Sequence, residues 1–157
     1  MRAFLCALGC ALALAASPVA AQVKADAERT SAEWLALIQA DKKAIVAKSM
    51  DLTPEEATRF WPLYDAFQRE LAVPQNAVTR ALLDYIAAGH KLTDANAKRI
   101  SEEMLAAQKE EARLQDRHFR RLLKVLPAHK AARYMQIENK IQAVVRYEGA
   151  KAVPLAR

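Results

Sequence analysis

Apolar residues recur at intervals of three and four along most of this chain, which is the spacing that one buried face of an α-helix requires. Residues with helix-starting or helix-ending preferences separate four such stretches. The pattern therefore predicts helices over residues 31–49, 54–88, 94–125 and 128–147. No stretch of the sequence alternates apolar and polar residues as a half-buried strand does. The predicted fold class is all-α.

The helix starts carry sequence signals of their own. Thr53 precedes the second helix, and a threonine there can cap a helix because its hydroxyl accepts a hydrogen bond from a first-turn N–H. Pro54 suits the first helical position, where no N–H is needed, and Glu56 can complete a capping box with Thr53. The pair Leu92-Thr93 stands in the same place before the third helix. Common capping requirements explain this recurrence, and an ancient duplication is the alternative.

The second helix is the longest of the four and contains two prolines, Pro62 and Pro74. A proline inside a helix removes one backbone hydrogen bond and bends the helix. Since twelve residues, a little over three helical turns, separate the two prolines, both bends point in roughly related directions and one curved helix is predicted. The alternative is a break at Val73-Pro74, because the residue before a proline resists the helical conformation. Gly89 is expected to end this helix, and Gly149 to end the fourth.

These helices are predicted to pack antiparallel, as a curved bundle or layer. One domain would cover residues 31–149, between a flexible segment over 22–30 and a short tail over 150–157. Ser31 is expected to cap the first helix. The aromatic residues near the start of the second helix are its predicted apolar anchors: Phe60, Trp61, Tyr64 and Phe67.

The first 21 residues have the features of a secretory signal peptide. Arg2 precedes an apolar run over residues 3–16, and small residues follow up to a predicted cleavage site after Ala21. An apolar run of this length is too short to span a bilayer, so an uncleaved membrane anchor is the disfavoured alternative. The predicted location is the periplasm. Both cysteines, Cys6 and Cys10, lie in the signal, so the mature chain is expected to form no disulfide.

Charge divides the remaining chain into two unequal parts. Residues 22–116 contain 13 Lys and Arg against 16 Asp and Glu, whereas residues 117–157 contain 10 against 2. Helical spacing puts five cations on one face of the third helix, where Glu110 and Asp116 can pair with two of them. The predicted basic face consists of Arg113, Arg117, Arg120, Arg121 and Lys124, with Arg133 of the fourth helix. The fourth helix is also expected to turn Lys130, Lys140 and Arg146 away from the core.

An exported basic face is expected to meet anionic lipid, lipopolysaccharide or an acidic protein surface, and no nucleic-acid partner is expected. A solvated face without a partner is the alternative.

Chemical motifs are missing from the sequence. It has no glycine-rich phosphate loop and no dinucleotide-binding fingerprint. The histidines, His90, His118 and His129, stand far apart, and Glu111 and His118 are seven residues apart near the apolar stripe of one helix. This spacing favours a structural role over metal binding. No enzymatic activity, cofactor or metal site is therefore expected.

The segments Leu52-Thr53-Pro54-Glu55-Glu56 and Leu92-Thr93-Asp94-Ala95-Asn96 resemble the Leu-Thr-x-x-Gln motif of the LTxxQ periplasmic family, the Spy/CpxP-like envelope-stress proteins. Glu56 and Asn96 stand where the family has glutamine. The segments 60–65 and 132–140 are similar to a group of uncharacterised exported bacterial proteins. The family resemblance implies a thin, curved helical layer, often an antiparallel dimer, whose basic and partly apolar concave face holds unfolded clients without ATP.

Three functions remain open from the sequence. The first is an ATP-independent, holdase-type chaperone or envelope-stress protein that binds unfolded or envelope proteins through a basic, partly apolar helical face. The second is a regulatory or structural adaptor for one envelope partner. The third is a binder of anionic lipid or lipopolysaccharide surfaces. A holdase would protect unfolded clients in general, and an adaptor would bind one saturable partner. A binder of anionic surfaces would bind vesicles in a salt-sensitive way.

Overall fold

The structure, a computed structural model, describes residues 30–89 and 91–155. These residues form four helices and no strand, so the predicted all-α fold class is confirmed. The helices are α1 (Ser31–Met50), α2 (Pro54–Ala87), α3 (Asp94–Leu122) and α4 (Ala128–Ala152). The predicted signal peptide over residues 1–21 with both cysteines, the cleavage site after Ala21, the segment 22–29 and His90 lie outside the described residues.

The start of α1 differs by one residue from the sequence expectation. Thr30 is the N-cap, not Ser31. Its hydroxyl accepts a hydrogen bond from the Glu33 N–H at 3.3 Å, and the Glu33 carboxylate accepts one from the Thr30 N–H at 2.7 Å. Only Thr30 has a glutamate three residues later, which the reciprocal capping box requires. Helix α1 is then interrupted at Asp41, whose φ of −159° and ψ of 85° are not helical.

Helix α2 begins behind the predicted capping box of Thr53 and Glu56 and continues through Pro62 and Pro74 to Ala87. The alternative of a break at Pro74 is therefore wrong. Gly89 follows the helix with a φ of +61°, a left-handed conformation that glycine adopts without steric cost.

Replacing Thr53 with alanine is expected to lower the free energy of unfolding by about 1 kcal/mol. The hydroxyl that accepts from the Glu56 N–H at 3.3 Å would be lost, and this N–H has no partner inside the helix. Urea denaturation measures the change. Thr79→Ala is the control, since Thr79 is exposed and its hydroxyl only donates to the Gln75 carbonyl one turn earlier in α2. Equal losses in the two variants would contradict the role assigned to the cap.

The last two helices end at other places than predicted. Helix α3 begins behind the cap Thr93, whose hydroxyl accepts from the Asn96 N–H at 3.3 Å, and ends at Leu122, followed by turns over residues 123–125. Helix α4 runs through Gly149 to Ala152, so the expectation that Gly149 ends it is wrong. The reason is that residues 150–152, Ala-Lys-Ala, are strong helix formers, which offsets the cost of one glycine. The predicted tail over 150–157 therefore starts only at Val153.

The helices pack as two antiparallel pairs that form one bundle. Helices α2 and α3 form a hairpin, in which Arg99 pairs with Asp84 near the connection and Arg121 pairs with Glu70 further along. Helix α1 lies antiparallel to α4, since Lys42 pairs with Glu138 at mid-length and Lys130, at the start of α4, bonds the carbonyl oxygen of Asp51 at the end of α1.

The apolar core consists of two separate clusters. The main core joins all four helices, and its largest fully buried side chains include Phe60, Phe67 and Tyr134. A second cluster, which we call the distal cluster, lies at the end of the α2–α3 hairpin and consists of Ala81, Tyr85 and Ile100. The partly buried side chains around the distal cluster are Leu82, Leu92, Met104 and Val153.

Candidate functional site

The arginines of the predicted basic face are exposed but largely neutralised by neighbouring carboxylates. Both predicted pairs on α3 occur, Arg113 with Glu110 at 3.6 Å and Arg120 with Asp116 at 3.0 Å. The other two arginines of this helix pair as well, Arg117 with Glu110 at 3.1 Å and Arg121 with Glu70 at 3.2 Å. A partner with negative charge would have to compete with these carboxylates. These four arginines alone therefore make a weak anion-binding surface.

Over residues 117–155, three other cations are exposed and uncompensated. Lys124, Arg133 and Lys140 have no carboxylate within 4 Å among residues 30–89 and 91–155. The two acidic residues of the basic half are engaged elsewhere. Glu138 is fully buried against Lys42, and the nearly buried Glu148 lies 3.3 Å from Lys151. The ratio of 10 cations to 2 carboxylates over residues 117–157 was the signal in the sequence for this surplus.

An apolar groove of about 410 Å³ lies between α3 and α4. We call it the α3–α4 groove. Phe119 and Met135 form its apolar wall and also pack against the main core, while alanines keep the groove open on both helices. Its lining residues are Ala112, Gln115, Asp116, Phe119, Ala132, Met135 and Gln136. On each helix these positions are three and four residues apart, which is one helical face.

Helical spacing puts two of the three uncompensated cations beside this groove. Arg133 is three residues before Gln136 and Lys140 is four residues after it, so both share the side of α4 that carries Gln136. Lys124 follows the end of α3. The predicted basic face includes Lys124 and Arg133, whereas the sequence predicts of Lys140 only that it faces away from the core. The arrangement combines apolar contact area with a positive rim.

A second groove, of about 660 Å³, lies between α2 and α3 and has a different charge pattern. Val73 and Leu83 expose 69% and 58% of their surface beside it. Arg99 on its rim pairs with both Asp84 and Glu103. Because carboxylates outnumber cations in its lining, this groove has no excess of positive charge.

The predicted apolar anchors belong to the protein interior. Phe60, Tyr64 and Phe67 are buried, and Trp61 is partly buried against the same cluster. Burial and the nearby Glu138 carboxylate raise the pKa of Tyr64 to about 12. A partner cannot reach the three buried rings in this structure, so they stabilise the bundle that carries the groove.

The two Leu-Thr motifs likewise form helix starts. Leu52 packs against the main core and Leu92 against the distal cluster. The Glu56 carboxylate accepts a hydrogen bond from Lys130 Nζ at 2.6 Å, which joins the starts of α2 and α4. The Lys130 ammonium and the Thr53 N–H hold the pKa of Glu56 below its usual range. The two motifs therefore contribute to the stability of the folded bundle.

A buried polar network lies between α1, α2 and α4. Glu138 is fully buried, and its Oε1 accepts from Lys42 Nζ at 2.5 Å and from Gln142 Nε2 at 3.2 Å. Gln68 Oε1 accepts a second hydrogen bond from Lys42 Nζ at 2.8 Å, and the Tyr134 hydroxyl donates to Glu138 Oε2 at 3.4 Å. Burial, helped by the negative Glu138, raises the pKa of Tyr134 above its ordinary range. Because every carboxylate oxygen has a partner, this network is suited to holding three helices together.

His118 lies beside this network with its ring stacked on Phe67, at a centroid distance of 4.1 Å and an angle of 9°. It is 1% exposed, and neither ring nitrogen has a hydrogen-bond partner among the residues described. Burial lowers the pKa of His118 from 6.5 to about 4. In the described part of the chain, no group of three His, Cys, Asp or Glu side chains is placed to hold a metal ion.

None of the helices α1 to α4 is apolar enough over a sufficient length to cross a bilayer.

No protein-family model, no curated protein and no solved structure matches this chain. Its function is therefore inferred from its own residues. The α3–α4 groove combines exposed apolar surface with neighbouring cations that no carboxylate neutralises.

Proposed function

We propose that this chain is an exported, ATP-independent polypeptide-binding protein of the holdase type, which acts on unfolded or envelope proteins in the periplasm. The observation that carries the proposal is the apolar α3–α4 groove, with the uncompensated cations Arg133 and Lys140 beside it on α4 and Lys124 in the turn after α3. The Leu-Thr motifs at residues 52–56 and 92–96 support membership of the LTxxQ family.

The two parts of the groove would have different tasks. Phe119, Met135 and the two alanines offer non-directional apolar contact, which stabilises any client segment that would otherwise expose apolar surface to water. The cations would raise the rate of encounter with acidic segments and orient them, and this contribution should weaken with salt. Neither task selects a particular sequence. Neither needs a catalytic group, so ATP would have no role in binding.

The proposal predicts that the uncompensated cations contribute more than the paired arginines. The triple substitution Lys124→Ser, Arg133→Ser, Lys140→Ser should raise the concentration needed to suppress aggregation of an acidic client about tenfold, if each lost contact is worth about 0.5 kcal/mol. The control is Arg113→Ser, Arg117→Ser, Arg120→Ser, which removes the same net charge. It should change that concentration less than about threefold. Both variants are made in the chain over residues 22–157. Light scattering measures how well they suppress the aggregation of two denatured clients, one acidic and one basic, at low and at high salt.

The outcomes separate the possible functions. Equal effects of the two triple variants would show that client binding depends on the net charge of the protein and not on the cations near the α3–α4 groove. If the folded protein protects neither client, the holdase proposal fails. Cross-linking in the periplasm would then test a single envelope partner, and salt-sensitive binding to anionic vesicles would test a lipid surface.

A further inference from the structure

The chain continues past α4 as an extended segment that lies on the α2–α3 hairpin. Helix α4 ends at Ala152, and Val153 has extended backbone angles, with φ −112° and ψ 113°. The Val153 side chain packs against the distal cluster. The Tyr85 hydroxyl donates a hydrogen bond to the carbonyl oxygen of Pro154 at 2.9 Å. We call residues 153–155 the C-terminal strap.

The sequence of the strap favours this conformation. Pro154 restricts Val153 to extended backbone angles, because a helical conformation would clash with the proline ring. A proline also has a fixed φ, so the strap loses little conformational entropy when it lies on the hairpin. The Pro154 carbonyl oxygen can still accept a hydrogen bond, and the Tyr85 hydroxyl donates one to it. An extended apolar residue followed by proline is therefore the chemistry that this surface recognises.

The surface beneath the strap is a small apolar site. Within residues 30–89 and 91–155, three buried residues form the distal cluster, and none of them belongs to the main core. A cluster of this size contributes little local stability and can open while the main core stays folded. Leu83 and Ile86, on the last turns of α2, are 58% and 45% exposed, and Leu155 in the strap is 89% exposed. Exposed apolar residues thus occur in the strap and in the last turns of the helix that carries Tyr85, and such surfaces commonly bind partners.

We propose that the distal cluster is a peptide-binding site, which the C-terminal strap closes in cis and which accepts extended apolar-proline segments of other polypeptides when the strap leaves. An incoming segment would place an apolar side chain where Val153 lies and a main-chain carbonyl where Pro154 accepts from Tyr85. A tethered segment has a high effective concentration, so the strap excludes weak ligands. The site uses other residues than the α3–α4 groove, and it stands or falls independently of the holdase proposal.

The test compares the wild-type chain over residues 22–157 with the same chain carrying Val153→Asp, which should detach the strap because a carboxylate is costly against an apolar cluster. The probe is the synthetic peptide Lys-Ala-Val-Pro-Leu-Ala-Arg, which has the sequence of residues 151–157. We expect saturable shifts of the amide resonances of Tyr85 and Ile100 in the Val153→Asp chain. Binding to the wild-type chain should be at least about tenfold weaker, because the strap competes.

Two controls address the recognised chemistry. A peptide with aspartate in place of its valine should not bind. Tyr85→Phe, added to the Val153→Asp chain, should weaken binding about 2- to 10-fold, since it removes one hydrogen bond. A chain that ends at Ala152 is a second way to remove the strap, and it should bind the peptide as the Val153→Asp chain does.

Two results would overturn the proposal. One is the absence of peptide binding by both opened chains while their circular dichroism stays helical. The other is equal binding by opened and wild-type chains, which would place the peptide elsewhere on the protein. Loss of the helical signal in both opened chains would also overturn it, because the strap would then be needed for the fold and would not close a separate site.

Discussion

Replacing Lys42 with methionine is expected to lower the free energy of unfolding by about 3–5 kcal/mol, which would be the largest effect of any single substitution considered for this protein. The Lys42 ammonium lies 2.5 Å from Glu138, whose side chain is 0% exposed. Without the ammonium, the bundle would retain a buried carboxylate whose remaining partners are neutral. A buried charge without a counter-charge costs several kcal/mol, whereas the intact pair roughly compensates its own desolvation.

Two further variants make this prediction specific. Lys98→Met makes the same substitution in a pair that is exposed on both sides, with Glu102 at 3.9 Å, and should cost less than about 1 kcal/mol. The double variant Lys42→Met, Glu138→Leu removes both charges and should be at least about 1 kcal/mol more stable than Lys42→Met alone. Urea denaturation at pH 7 measures all three. If Lys42→Met costs no more than Lys98→Met, water reaches Glu138 and the network is not closed.

Features that depend on one helical turn could be predicted from the sequence. The capping box at the start of α2 needs only Thr53 and Glu56, which stand three residues apart in the sequence, and the structure confirms it. At α1, two hydroxyl residues stood side by side, and the choice between Thr30 and Ser31 depended on which had a glutamate three residues later. Gly149 shows the limit of reasoning from single residues, because the helix formers after it outweigh it.

Features that depend on contacts between helices could not be predicted. Nothing in the sequence of α1 indicates that Glu138, 96 residues later, is the partner of Lys42. The basic face met the same limit. Helical spacing predicted which cations share a side of α3, and it found the local pairs with Glu110 and Asp116. It could not find that Glu70, 51 residues earlier, neutralises Arg121.

His118 should make the protein lose stability in mild acid. Its folded-state pKa of about 4 lies below the unfolded value of 6.5, because burial disfavours the charged imidazolium. Glu138 and Glu70 oppose this effect and Arg121 adds to it. Above pH 6.5 both states are neutral and no stability is lost. As the pH falls from 6.5 to 4, the unfolded state takes up a proton that the folded state cannot, so stability falls with pH.

The expected loss from this group is about 3 kcal/mol between pH 6.5 and pH 4, at about 1.4 kcal/mol for each pH unit. His118→Phe keeps an aromatic ring stacked on Phe67 and removes the titrating group. Between pH 6.5 and pH 4, the free energy of unfolding of this variant should therefore fall by about 3 kcal/mol less than that of the wild type. His129→Gln, which replaces an exposed histidine, is the control variant. Urea midpoints measured at half-unit pH steps give the three curves. Parallel curves for wild type and His118→Phe would mean that His118 takes up its proton equally in the folded and unfolded states, which its burial among Phe67, Tyr134 and the main core argues against.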